Sequence, residues 1–146
     1  MQDAGIAIME SFNADIHDNV VDGAEFGIRM NLGAGNNKVY DNTFNDIHNV
    51  GFFTYYGADP PWIGDGRPYD NKFYDNIITD TAVGIKLKES DSISIMNNEF
   101  SGTKEIEFND AQDTKLSGNS FPSGTCLINQ YDSSTFSSSS GVPNEC

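Results

Sequence analysis

The sequence predicts an all-β fold: a right-handed parallel β-helix of about five to six coils, with an Asn ladder and a C-terminal cap. Three observations lead there. Asn recurs in phase with apolar neighbours, and a second register of Gly-apolar tetrapeptides runs beside it. Gly, Asn, Asp and Ser are abundant while hydrophobic content stays at 37%, a balance that suits short strands joined by many turns.

The Asn register carries most of the argument. Asn19, Asn42, Asn76, Asn98 and Asn119 follow one another at intervals of 23, 34, 22 and 21 residues. An apolar residue stands three positions before each (Ile16, Val39, Phe73, Ile95, Leu116) and two positions after (Val21, Phe44, Ile78, Phe100, Phe121). This reads as strand, tight turn, strand, with Asn taking the left-handed conformation that the turn needs. Stacking identical turns would place the amides in a ladder. Evenly spaced strands also suit a β-sandwich, but a sandwich gives no reason for Asn to recur in phase.

The second register is Gly5-Ile6-Ala7-Ile8, Gly27-Ile28-Arg29-Met30, Gly51-Phe52-Phe53-Thr54 and Gly84-Ile85-Lys86-Leu87, continuing as Ile106-Glu107-Phe108. Alternation of period two marks each as a strand with one face inward. The predicted core is Ile6, Ile8, Ile16, Val21, Ile28, Met30, Val39, Phe44, Phe52, Phe73, Ile78, Ile85, Leu87, Ile95, Phe100, Ile106, Phe108, Leu116 and Phe121. Residues 1–128 form the coils, with a loop inserted at 55–71 where one repeat is longer than its neighbours. Residues 129–146 lose the repeat and read as a Ser-rich tail that caps the last coil's open edge.

Charge limits the partners. With 22 acidic against eight basic residues the net charge is −14, which opposes nucleic acid and anionic membranes at long range. No run reaches the ~18 apolar residues of a membrane span, and Met1-Gln2-Asp3 does not begin a signal peptide, so the chain reads as a mature form or fragment without its leader. Cys126 and Cys146 read either as a bridge tying the tail to the body of a secreted or cell-wall protein, or as two unrelated thiols. No cofactor is expected and no metal: the Asp-Asn pairs are turn residues, without an EF-hand loop or a calcium-binding nonapeptide repeat. Oligomeric state, monomer or otherwise, is not legible.

Stacking the Gly-apolar strands aligns their outward residues. One row is Ala7, Arg29, Phe53, Lys86 and Glu107, flanked by Asn31, Tyr55, Lys88 and Asn109. From Arg29 to Lys88 it is rich in bases and aromatics, and the loop from Tyr55 onward would wall it with Trp62, Arg67 and Tyr69. Aromatic faces pack on sugar rings, and Arg or Lys pairs with carboxylates. These residues equally suit an ordinary solvated strand. A rival stripe is Lys38, Lys72 and Lys115 with His17, Tyr40 and Tyr74, either a second binding surface or an outer stack that stabilises the coils. His48 immediately precedes the third Gly-apolar strand, where it would reach the groove near Tyr55 or serve the turn.

Several stretches together resemble the later coils of mannuronan C5-epimerases of the brown-algal type: Gly27-Ile28-Arg29-Met30-Asn31-Leu32-Gly33-Ala34-Gly35, Tyr40-Asp41-Asn42-Thr43-Phe44, Thr54-Tyr55-Tyr56-Gly57, Asp65-Gly66-Arg67-Pro68 and Lys86-Leu87-Lys88-Glu89-Ser90-Asp91. The similarity covers most of residues 5–128. It implies a secreted β-helix that binds an alginate-like acidic polysaccharide along the first-strand face, with Arg29, Lys86 and Lys88 neutralising a uronate and Tyr55 and His48 as proton carriers. The family's Asp-Pro-His stretch is absent; Asp59-Pro60-Pro61 lacks the His. Three readings follow: an alginate-binding module derived from an epimerase, a minimal epimerase or alginate lyase, and a structural or host-interaction β-helix without a glycan ligand.

Overall fold

The structure, a computed structural model, describes residues 4–57 and 66–146. Short strands joined at sharp corners form the coils. The first holds β1 (Ala4–Met9), β2 (Asp15–His17) and β3 (Val20–Asp22), and the second β4 (Phe26–Asn31), β5 (Lys38–Tyr40) and β6 (Thr43–Asn45). The third has β7 (Val50–Thr54), β8 (Lys72–Tyr74) and β9 (Ile77–Thr79), and the fourth β10 (Val83–Asp91), β11 (Ser94–Met96) and β12 (Glu99–Ser101). The chain then runs through β13 (Glu105–Gln112), β14 (Thr114–Ser117), β15 (Cys126–Asn129), β16 (Phe136–Ser138) and β17 (Asn144–Glu145). Each strand pairs in parallel with its counterpart one coil on, in sheets of order β1-β4-β7-β10-β13-β15-β17, β16-β14-β11-β8-β5-β2 and β12-β9-β6-β3. The molecule is therefore a parallel β-solenoid of about six turns.

The corners are made by residues that tolerate positive φ. Asp18, Asp41, Asp75 and Asn97 have φ of 54–57°, and Gly118 takes 67°. The left-handed residue is thus the one before each ladder Asn, not the Asn itself. The reason is directional: the left-handed turn residue points outward, leaving the following Asn free to aim inward.

Once inside, each amide must be satisfied. Asn76 Nδ2 donates to Asn98 Oδ1 at 3.1 Å and to the Val39 carbonyl at 3.0 Å, while its Oδ1 accepts the Asn42 backbone N–H at 3.0 Å and Asn42 Nδ2 at 3.1 Å. The same pattern joins Asn19 to Asn42 and Asn98 to Asn119. A second, shorter ladder joins Asn37 to Asn71. At the third corner Thr103 and Thr125 each donate a hydroxyl to the carbonyl of the Thr one coil earlier, at 2.9 Å.

The core follows the predicted list closely. Ile6, Ile16 and Phe121 are only partly buried, whereas Ile47 and Ile93, absent from the list, are buried and belong to the core. Within it Phe52 and Phe73 stack with ring centroids 4.5 Å apart. The Gly column explains itself by close approach: a Cβ on Gly27 would lie 2.5 Å from the Gly51 carbonyl oxygen, and one on Gly51 2.7 Å from that of Gly84. Only glycine lets these backbones meet.

The segment 129–146 extends the sheets: β16 pairs with β14 and β17 with β15. Cys126 and Cys146 form a disulfide with Cα atoms 5.0 Å apart, holding β17 on the end of the first sheet.

Candidate functional site

The first sheet carries the row of interest on its outer side. Ile28, Phe52, Ile85 and Ile106 face inward, so Arg29, Phe53, Lys86 and Glu107 face outward in strict register. Asn31, Tyr55 and Lys88 continue two residues along, Lys88 being paired with Asn109.

Four of these residues meet in one concavity. A groove of about 350 Å³ is lined by Phe26, Asn49, Val50, Phe53, Tyr55, Lys86 and Lys88. Its aromatic floor is a continuous stack, Phe26 on Phe53 at 5.2 Å and Phe53 on Tyr55 at 4.9 Å between ring centroids. The Tyr55 hydroxyl accepts a hydrogen bond of 2.9 Å from Asn31 Nδ2, which fixes the phenol at the groove's edge. Asn31 is itself buried, and its Oδ1 has no hydrogen-bond partner among the described residues. Lys86 and Lys88 bring two ammonium groups to the hollow, and among the described residues no carboxylate is in its lining, although Glu107 pairs with Lys86.

Lys86 and Lys88 differ in their surroundings. Lys86 Nζ lies 2.8 Å from Glu107 Oε2 on the next strand, whereas Lys88 makes no ion pair among the described residues. Beside Glu107 stands Glu105, whose carboxyl titrates above the usual range. Burial is the main cause, followed by the charge of Glu107 and a hydrogen bond to it, with Lys86 acting in the opposite sense.

Other expected site residues lie elsewhere. Arg67 does not wall the groove: its Nε and Nη2 grip both oxygens of Asp91 at 3.0 Å, Nη1 meets Asp110 Oδ2 at 2.8 Å, and Nη2 also reaches the Ser90 and Asp110 carbonyls. A guanidinium placed between stacked coils joins carboxylates and carbonyls of two of them, so it acts as a clamp. Tyr69 bridges to Gly35 and Asp91 at the corner after the first sheet, away from the groove. His48 is exposed and directed to Asp46 at 3.8 Å rather than toward Tyr55. Trp62 and the Asp59-Pro60-Pro61 stretch lie outside the described residues. Arg29 stands in the row beside Phe53 but does not line the groove.

Sequence reasoning missed Phe26 and Glu105. Phe26 has the same parity as the inward Ile28, so alternation would send it to the core, yet its ring stacks on the outward Phe53. Glu105 was legible, since Ile106 and Phe108 are inward and the residue two before Glu107 must share its face.

The rival stripe is also a physical unit. Lys38, Lys72, Ser94 and Lys115 share one row of the second sheet. Next to it His17, Tyr40 and Tyr74 stack at 4.9 and 5.1 Å with nearly parallel rings. Lys38 lies 4.0 Å from Asp15, and the hollow between Lys72 and Lys115 is lined by Asp70. Carboxylates stand beside these lysines, as Glu107 stands beside Lys86 on the first sheet; Lys88 is the first-sheet lysine without an ion pair among the described residues.

Among the described residues, no group of three or more His, Cys, Asp or Glu side chains is gathered for a metal ion. Comparisons with protein-family models, with curated proteins and with solved structures found nothing that matches this chain.

Proposed function

We propose that the outer face of the first sheet binds an acidic polysaccharide, with a uronate polymer of the alginate type as the ligand to test first. The observation that carries this reading is the groove where the Phe26–Phe53–Tyr55 stack meets Lys86 and Lys88, with no carboxylate in the lining among the described residues. On a chain of net charge −14 a concavity that brings Lys88, free of an ion pair among the described residues, beside Lys86 attracts an anion locally against the overall field. The aromatic floor adds a surface for pyranose rings. The disulfide supports a secreted or cell-wall setting, since such bonds persist in oxidising compartments.

The resemblance to mannuronan C5-epimerases supports a uronate ligand and raises a catalytic reading. Epimerisation removes the C5 proton and returns one from the opposite face, which asks for proton carriers on both sides of the sugar. Of the two expected carriers Tyr55 lines the groove and His48 does not. That asymmetry favours a binding module over a self-sufficient enzyme.

The test is calorimetric titration with mannuronate oligomers at low and high salt, with proton NMR of the recovered polymer. Binding that weakens steeply as salt rises, without new guluronate or unsaturated-end signals, is the expected result. No heat and no thermal stabilisation at any oligomer length would overturn the polysaccharide reading. New sugar signals would instead make the protein an enzyme.

A further inference from the structure

The register of the first sheet gives the groove a charge gradient along the solenoid axis. Reading outward residues coil by coil, one row is Arg29, Phe53, Lys86, Glu107 and Ile128, and its neighbour Phe26, Val50, Val83, Glu105 and Cys126. Positive charge occupies the second and fourth coils, two carboxyl groups occupy the fifth, and the sixth presents Ile128 and Cys126 in these rows. Ile106 and Phe108 are fully buried, which forces Glu105 and Glu107 onto the same outer face.

We propose that Glu105 and Glu107 set the specificity of this groove: they end its anion-binding track, so that the sugar seated over the fifth coil is one without a free carboxylate. This rests on the polysaccharide reading above and adds to it. Strands in a sheet are spaced by ~4.8 Å, and an extended 1,4-linked pyranose chain advances by about one such spacing per sugar. A chain lying along the axis therefore meets one coil per sugar. Over the fourth coil it meets Lys88 and Lys86. Over the fifth it meets carboxyl groups that repel a uronate but accept hydrogen bonds from hydroxyls.

The Lys86–Glu107 contact sharpens the argument. Glu107 Oε2 sits 2.8 Å from Lys86 Nζ, where a ligand carboxylate would otherwise bind. A fully charged uronate chain must displace Glu107 and also bear the repulsion of Glu105, whereas a chain whose next sugar is neutral or esterified leaves the pair intact. The ligand class is thus a uronate polymer with masked or neutral sugars among the charged ones.

The experiment titrates the native protein and the Glu105→Gln/Glu107→Gln double variant with two probes, a fully ionised mannuronate hexamer and the same hexamer partly converted to methyl esters. The native protein should bind the partly esterified hexamer about tenfold more tightly, the size expected for one partly screened like-charge encounter. The double variant should lose that preference by gaining affinity for the ionised hexamer. Binding of both hexamers with the same ratio in the two proteins would overturn the assignment of Glu105 and Glu107 while leaving the groove as a uronate site. Failure of the native protein to bind either hexamer would overturn both readings. Glutamine keeps the shape and polarity of each side chain, and a Glu107→Gln single variant with an intermediate ratio supports the same conclusion.

Discussion

Arg67 holds Asp91 by two parallel hydrogen bonds of 3.0 Å, Nε to Oδ2 and Nη2 to Oδ1, while its Nη1 reaches Asp110 on the following coil. One guanidinium thus joins the third coil, which carries the inserted loop, to the fourth and the fifth. Arg67→Met keeps the apolar stem and removes the fork. It should lower stability by about 2 kcal/mol, in the range for hydrogen bonds to charged groups. Chemical denaturation checks this, and an unchanged midpoint would show the clamp to be idle.

The same clamp gives an acid limb to stability. Hydrogen bonds from Arg67 and then Gln112 hold the Asp110 carboxyl below its ordinary value. A depressed carboxyl contributes stability above its unfolded pKa, about 3.9, and loses it as pH falls through the lower folded value. Thermal unfolding measured between neutrality and pH 2 should therefore show a steeper acid decline in the native protein than in Asp110→Asn. Parallel curves would remove Asp110 from the account.

Glu105 works in the opposite direction. Its folded pKa is raised, chiefly by burial and then by Glu107. Ionising it therefore opposes folding as pH rises through the folded value. Glu105→Gln should be more stable than the native protein at pH 7, and the difference should vanish below the carboxyl range. A less stable variant at neutral pH would contradict this.

The ladder predicts a large effect from a small change. Asn76→Leu takes the side-chain partner from the Val39 carbonyl and the Asn42 backbone N–H in the interior, and removes one of two partners from Asn42 Nδ2 and from Asn98 Oδ1. With each buried orphan costing ~1–3 kcal/mol, a loss of at least about 3 kcal/mol is expected. Asn19→Leu, at the exposed first rung, should lose far less. Urea titration of the two variants tests the contrast, and equal losses would mean that burial does not govern the ladder.

Much of the fold is written in the sequence because a solenoid repeats its constraints. The spacing of Asn19 to Asn119 gives the coil lengths, and the Gly-apolar tetrapeptides give the register that aligns Arg29, Phe53, Lys86 and Glu107. What was not legible depends on contacts between unlike positions. Arg67 lies in a stretch with no repeat, so nothing local signals that Asp91 and Asp110 converge on it. Phe26 shares the parity of the inward Ile28, yet its ring stacks on the outward Phe53, which period-two alternation does not foresee. Asn37 and Asn71 form a second ladder of one rung, too short to announce itself as a repeat. His48 precedes the right strand, but the corner turns its ring toward Asp46.

The central claim is that the first sheet, not the second, binds an acidic chain. It is tested most directly by the affinity for mannuronate oligomers of Lys86→Ala/Lys88→Ala beside that of Lys38→Ala/Lys72→Ala/Lys115→Ala. A loss of at least tenfold is expected in the first variant, about 1.4 kcal/mol, and a change within twofold in the second. The reverse ranking would place the ligand on the stacked face of His17, Tyr40 and Tyr74 and contradict the account.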